Sequence, residues 1–217
     1  TSTGFGDDSS RVLFDMGGGQ GGEVWIDDVS VVSSNSVDPV DPVDPETGDV
    51  GTVDNPRTLG SGDVINFNSS STDIYDLFDL GDSVSAASTM VVDPYDTTNR
   101  VVQIVKNTDA PFWAGTTIAR GKVIYPVTTE NSTITVRVLS AKTGQVRLKL
   151  EESNDTSHSV ETDATIMSEN DWGTLTFDFN GTAQLDPTYV FDTLSIFMDF
   201  GVVGDGSTYY IDDITFI

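Results

Sequence analysis

Cysteine is absent from the chain, and histidine occurs once, at His158. The first absence excludes disulfide staples, zinc-thiolate sites and a cysteine nucleophile. The second means that any Ser-His-Asp triad would have to use His158. That residue ends the polar stretch Ser153-Asn154-Asp155-Thr156-Ser157-His158, no nucleophile-elbow sequence accompanies it, and it reads as an exposed loop residue. Positive charge is scarce. Ten Lys and Arg stand against 35 Asp and Glu, which gives a net charge of −25 and a pI near 4.1. Coulomb repulsion then opposes contact with the phosphates of nucleic acid or with a bare anionic membrane, and neither is expected as a partner. No apolar run is long enough to span a bilayer. No signal peptide is visible, and Thr1-Ser2-Thr3-Gly4 reads as a processed or cut end. No stretch keeps a helical period. An acidic, cysteine-free composition rich in Thr, Ser, Gly and Asp is common in secreted bacterial proteins, so a secreted or cell-surface location is expected.

What is present is punctuated. Residues 37–47 read VDPVDPVDPET, with proline at every third position. Proline fixes φ and removes a donor, so this is an extended linker, stiffened further by repelling aspartates. A domain boundary is placed at 37–57. Upstream of it, FDMGGGQGGEVWIDDVSV at 14–31 matches MDFGVVGDGSTYYIDDITF at 198–216, with one residue of gap. Residues 1–36 therefore read as the last hairpin of an upstream copy, and 58–217 as a complete module of the same type.

Within 58–217 the strand signals are dense. Residues 101–105, 134–139, 146–150, 175–179, 194–198 and 210–216 alternate or run apolar at strand length. Ala141-Lys142-Thr143-Gly144 reads as a hairpin turn. Short antiparallel strands separated by turns predict an all-β fold, an antiparallel β-sandwich.

Sugar recognition needs flat aromatic platforms and planar polar groups. Trp113, after Asp109-Ala110-Pro111-Phe112, is the first stacking candidate, with Phe112 beside it; a core role is the alternative. Tyr95, in the turn Asp93-Pro94-Tyr95-Asp96, is the second. Trp172 reads as core, and Trp25 belongs to the partial repeat. Eight of the ten basic residues lie between Arg100 and Lys149. Arg147 and Lys149 alternate with apolar residues, and Arg137 takes a similar place on the preceding strand of the expected hairpin. The three read either as a basic stripe for uronate or sulfate groups, or as a solvated face paired with acids such as Glu151.

Read in order, several stretches carry a family resemblance. They are Val92-Asp93-Pro94 through Asn99-Arg100-Val101-Val102, then Phe112-Trp113-Ala114-Gly115, then Val146 to Glu151, then Asp171 to Phe179, and last Tyr210-Ile211-Asp212-Asp213-Ile214. Over nearly all of 63–217 the chain resembles the non-catalytic carbohydrate-binding modules of the jelly-roll, galactose-binding-like type, the family 4, 9 and 16 group. Closest in pattern are the tandem copies beside laminarinases, agarases and alginate lyases of marine bacteria. The resemblance implies a polysaccharide ligand, linked sibling modules and an attached catalytic domain. It also implies a structural calcium ion, held here by Asn68, Asp93, Asp212 and Asp213. Asn68 departs from the glutamate usual after the phenylalanine. By alternation Asp212 shares the inward face with Ile214 and Phe216, where a carboxylate must be paired, hydrogen-bonded or on a metal. The alternative is that these acids cap turns.

The whole-chain negative charge favours a neutral glucan such as a β-1,3-glucan, with alginate-like or sulfated glycans next. Two other functions compete. A lyase or hydrolase would need a distinct acid–base set, and the sequence singles out none. An adhesin or filament subunit would use residues 1–36, whose Val12, Phe14, Met16, Val29 and Val31 line one side of a hairpin available for self-association by strand exchange.

Overall fold

The computed structural model describes residues 50–68, 75–81, 85–182 and 185–217. The partial repeat at 1–36, the Asp-Pro run and Trp25 lie outside the described residues. Among those described there is no helix, and the strands are β1 (Gly51–Thr52), β2 (Asn55–Thr58), β3 (Val64–Ile65), β4 (Phe78–Leu80), β5 (Ala86–Val92), β6 (Arg100–Lys106), β7 (Gly115–Arg120), β8 (Val123–Ile124), β9 (Thr133–Ser140), β10 (Gly144–Glu152), β11 (Asp155–Ile166), β12 (Trp172–Asp178), β13 (Thr193–Phe197) and β14 (Ser207–Phe216). They form a five-stranded sheet in the order β11-β10-β13-β7-β4 and a six-stranded sheet in the order β12-β9-β14-β6-β5, with β3 added to β14. Both sheets are antiparallel, and the fold is the expected β-sandwich. β1, β2 and β8 make a small separate sheet, with β2 and β8 parallel. Val50 and Leu59 are buried, and β1 and β2 both start before residue 58.

Alternation dictates the core. Val146, Leu148 and Leu150 of β10 and Leu194 and Ile196 of β13 point inward from one sheet. Ile134, Val136 and Val138 of β9, Val102 and Ile104 of β6, and Ile211, Ile214 and Phe216 of β14 meet them from the other, in one continuous cluster. A side chain of this size contributes about 1.5–3 kcal/mol when fully buried.

The structure differs from the sequence reading at three places that bear on function. First, Ala141-Lys142-Thr143-Gly144 is not a hairpin turn. β9 lies in the six-stranded sheet and β10 in the five-stranded one, so the chain crosses the sandwich there. Local turn chemistry is the same in both cases: the Ser140 hydroxyl donates to Lys142 O and accepts from Lys142 N. The true hairpin is β10–β11, nine paired residues on each side with a bulge at Glu151 and Glu152. Second, His158 is a strand residue of β11. It is bonded through Nδ1 to Glu152 Oε2 at 2.9 Å and stacked on Tyr189 with ring centroids 4.1 Å apart. Third, β14 changes phase. Its pairing with β9 shifts register between Asp212 and Thr215, and Asp213 sits at φ +46°. Asp212 therefore shares the outer face with Tyr210, not the inner face with Ile214 and Phe216.

The middle of the five-stranded sheet depends on close approach. A Cβ added at Gly115 would lie 2.5 Å from the Phe197 ring and 2.6 Å from Ile196 O. Backbone cannot yield cheaply, so Gly115→Ala is expected to destabilise the fold by about 1–3 kcal/mol, measured by denaturant unfolding. A neutral result would show that β13 can move away from β7.

Candidate functional site

The residues singled out from the sequence fall on opposite faces of the sandwich. Trp113, Phe112, Arg147 and Lys149 belong to the outer side of the five-stranded sheet and its edge. Tyr95 and Arg137 belong to the outer side of the six-stranded sheet. Arg137 therefore does not continue a stripe with Arg147 and Lys149, because the crossover at 141–143 separates them.

On the five-stranded sheet, register places outward side chains in three rows. One runs Phe78, Thr117, Ser195, Lys149, Glu161 across β4, β7, β13, β10 and β11. The next runs Leu80, Gly115, Phe197, Arg147, Asp163. The third runs Arg120, Thr193, Glu151, Ser159. Thr117, Thr193 and Ser195 are small beside Phe78, Arg120, Lys149 and Glu151, so the face is hollowed between them into a trough. A cavity of about 160 Å³ lies in it, lined by Phe78, Thr117, Arg120, Glu151, Thr193 and Ser195 among others. The floor is polar: the hydroxyls of Thr117 and Ser195 are 2.7 Å apart and both residues are buried.

One wall is aromatic. Phe78 is 55 % exposed and Trp113 is 45 % exposed. The Trp113 ring lies against Gly81, just past the end of β4, where an added Cβ would be 3.5 Å from it. Phe112 is half exposed and packs edge to face on Phe200 at 6.3 Å, which packs likewise on Phe197 at 6.0 Å. The other wall is charged and internally matched. Arg147 forms a fork to Asp163 (2.7 and 2.9 Å) and reaches Glu161 as well. Its guanidinium also covers Phe200 at 3.9 Å. Lys149 holds Glu151 at 2.8 Å. These are the acid pairs that a solvated face calls for.

A buried lysine fastens the aromatic wall. Lys106 is 2 % exposed, and its ammonium donates to the carbonyls of Phe112 (3.2 Å), Met198 (3.1 Å) and Asp199 (2.9 Å). Burial pushes its pKa down, opposed by Asp199. One side chain thus ties the loop carrying Phe112 and Trp113 to the turn carrying Phe200. Sequence reading missed Lys106, Phe78, Thr117, Ser195 and Phe200. The alternation of Thr117 and of Thr193 with Ser195 among apolar neighbours was the available signal for the floor.

The four expected calcium ligands do come together, on the other sheet. Asn68, Asp93, Asp212 and Asp213 line one open pocket of about 490 Å³ with Asn99, Arg137 and Trp172. Trp172 is therefore not core. It lies on the outer face beneath Arg137, whose guanidinium is 4.6 Å from the ring. Asn99 Nδ2 donates to Asp93 Oδ2 (3.1 Å) and Asp212 Oδ2 (2.9 Å). Arg137 bridges Asp212 (3.3 Å) and Asp213 (3.0 Å). Asn68 Oδ1 accepts from Arg100 N. Asp93 is held below its usual pKa: burial raises it, but bonds from Tyr95 N, Asn99 and Trp172 outweigh that. Burial pushes Asp212 up to about 6, with Asn99 opposing and Asp213 adding to the rise.

The donor set fits a hard cation in part. The oxygens are of the right kind, and Asp212 Oδ1, fully buried, has no hydrogen-bond partner among the described residues. Yet no three acidic or histidine side chains among those residues converge on one point, and the amide of Asn99 and guanidinium of Arg137 stand between the carboxylates.

No family model matches the chain, and no curated protein matches it. Solved structures do resemble it. A point variant of a family 29 carbohydrate-binding module is 16 % identical over 73 % of this chain and 92 % of its own, with a TM-score of 0.47. The family 22 module and glycoside hydrolase module of xylanase 10B from Clostridium thermocellum, complexed with xylohexaose, are 17 % identical over 73 % of this chain and 28 % of theirs, at 0.44. A module described for the promiscuous specificity of the β-sandwich superfamily is 14 % identical over 73 % of this chain and 63 % of its own, at 0.48. The likeness is one of strand arrangement.

Asp212 gives a pH prediction. Its folded pKa lies above the ordinary 3.8, so the stability linked to its proton is present below about pH 4 and lost as pH rises through 6. In chelator, the decline in stability between pH 4.5 and 7 should be smaller in Asp212→Asn than in wild type, by about 2 kcal/mol. Parallel curves for the two proteins would show that Asp212 ionises without cost.

Proposed function

We propose that the chain is a non-catalytic module that binds a polysaccharide strand along the outer trough of the five-stranded sheet, delivering an attached hydrolase or lyase to its substrate outside the cell. The observation that carries this reading is the trough itself. It has exposed Phe78 and Trp113 on one wall, a floor of buried hydroxyls, and a wall of planar polar groups. Aromatic faces take the apolar faces of pyranose rings and the carboxylates of the charged wall take the ring hydroxyls, while the buried Thr117–Ser195 pair shapes the floor. The charged wall also speaks against chemistry. Glu151, Glu161 and Asp163 are each held by Lys149 or Arg147, so none stands as a free acid or base.

The same pairing favours a neutral glycan, a β-glucan such as laminarin before alginate. Arg147 and Lys149 have no charge to spare for a uronate, and the net charge of −25 repels polyanions at range. Retardation in gels cast with laminarin and with alginate tests this. Laminarin is expected to slow the protein, alginate not, and Trp113→Ala with Phe78→Ala is expected to abolish the effect. Retardation by alginate alone would reverse the choice of glycan, and retardation by neither would remove the binding function.

Calcium at Asn68, Asp93, Asp212 and Asp213 is part of the proposal, and the orphaned oxygen of Asp212 is what supports it. There the ion and the Arg137 guanidinium compete for the same carboxylates. Calcium should raise the melting temperature relative to chelator, and more so in Arg137→Ala than in wild type. Identical melts with and without chelator in both proteins would remove the ion.

A further inference from the structure

The outer face of the six-stranded sheet carries a second groove that the trough does not explain. Register sets Trp172, Leu139, Tyr210 and Gln103 side by side across β12, β9, β14 and β6, all facing outward. The Asp93–Asp96 turn overhangs this row. Between them lies a groove of about 540 Å³, lined by Pro94, Tyr95, Leu139, Asn170, Ser207 and Tyr210 among others. That volume is within the usual range for a small-molecule site.

Both tyrosines line the groove and are held in place. Tyr95 is 64 % exposed, yet tethered at both ends: its N–H donates to Asp93 Oδ1 at 2.8 Å and its hydroxyl donates to Asn170 O at 3.1 Å. Gln103 Nε2 donates to the Tyr210 hydroxyl at 3.2 Å. A large aromatic pinned in the open gives up the packing it would have in the core, and gains a ring whose position is already fixed before a ligand arrives. Leu139 supplies an apolar floor, and Ser207 and Asn170 put polar groups on the rim. Lys142 also lines the groove, but its ammonium is bound by Asp199 (2.7 Å) and Asp205 (2.8 Å). The groove therefore offers two aromatic faces, an apolar floor, neutral hydrogen-bonding groups and no uncompensated charge. That chemistry suits an uncharged pyranose better than a uronate, a phosphate or a charged peptide.

We propose that this groove is a second saccharide site, separate from the trough and on the opposite sheet, which takes a short segment of a neutral polysaccharide between Tyr95 and Tyr210. The proposal rests on the reading of the chain as a glycan-binding module. The Asp93 cluster is then also the support of a binding residue, since Asp93 anchors the backbone of Tyr95.

Calorimetric titration of the full chain with neutral hexasaccharides of β-1,3-glucan, β-1,4-glucan and β-mannan tests it. Wild type is expected to bind one of them at two sites. Trp113→Ala with Phe78→Ala should leave one site. Adding Tyr95→Ala to that background should weaken the remaining site about tenfold or more, with the melting temperature kept, because Tyr95 is exposed. Backbone amide NMR shifts at Tyr210 and Asn170 should follow the remaining binding event. A single site in wild type that the trough variant abolishes would overturn the second site and leave the trough standing. Residual binding indifferent to Tyr95→Ala, or with shifts elsewhere, would overturn it also. No binding of any hexasaccharide by wild type would overturn both readings.

Discussion

The sandwich turns on a change of phase in its central strand. β14 pairs with β6 and β9 through its first half and with β3 and β9 through its second. A strand that kept strict alternation would send Asp212 into the core with Ile214 and Phe216. There its charge would cost several kcal/mol unless matched. The left-handed residue Asp213 takes up one position without pairing, and Asp212 emerges on the outer face while Ile214 and Phe216 still fill the interior. From this follow the link to Asn99 and Arg137, the place of Asp93, and through Asp93 the seating of Tyr95 and Trp172. Aspartate tolerates this conformation better than most residues, which accounts for the paired aspartates in the strand.

A second constraint fixes the other face. A buried ammonium must have its protons accepted, and Lys106 finds carbonyls on two different loops. The trough wall is thus built from segments far apart in sequence and joined by a side chain that is itself buried. Together with the small residues on β7 and β13, this gives the five-stranded sheet a depression lined by groups of opposite character.

Much of the fold was legible in the sequence because its strands alternate cleanly. Val146, Leu148 and Leu150 against Arg147 and Lys149 leave little choice of element or face. β11 is not legible, because Asp155–Ile166 turns Val160, Thr162, Ala164 and Ile166 inward among polar neighbours and looks like a polar loop until β10 is laid beside it. The crossover at Ala141–Thr143 carries the local signals of a hairpin turn, and which sheet the next strand joins is decided by packing far from it. The cluster of Asn68, Asp93, Asp212 and Asp213 follows from the family pattern, while the direction of Asp212 does not, because alternation counted back from Ile214 and Phe216 crosses the bulge at Asp213 and reverses there. Trp172 was misplaced for a related reason: its Nε1 has a carboxylate partner at Asp93, and Arg137 covers its ring, so it is stable on an outer face.

The long edge of the five-stranded sheet has a consequence of its own. β11 ends the sheet, and an open strand edge can template pairing with another chain. Here that edge presents Asp155, Glu161 and Asp163 along its length. Two copies brought together would set like charges opposite each other before any backbone bond could form. Pairing of two copies through this edge is therefore opposed by the same acids that hold Arg147 in place.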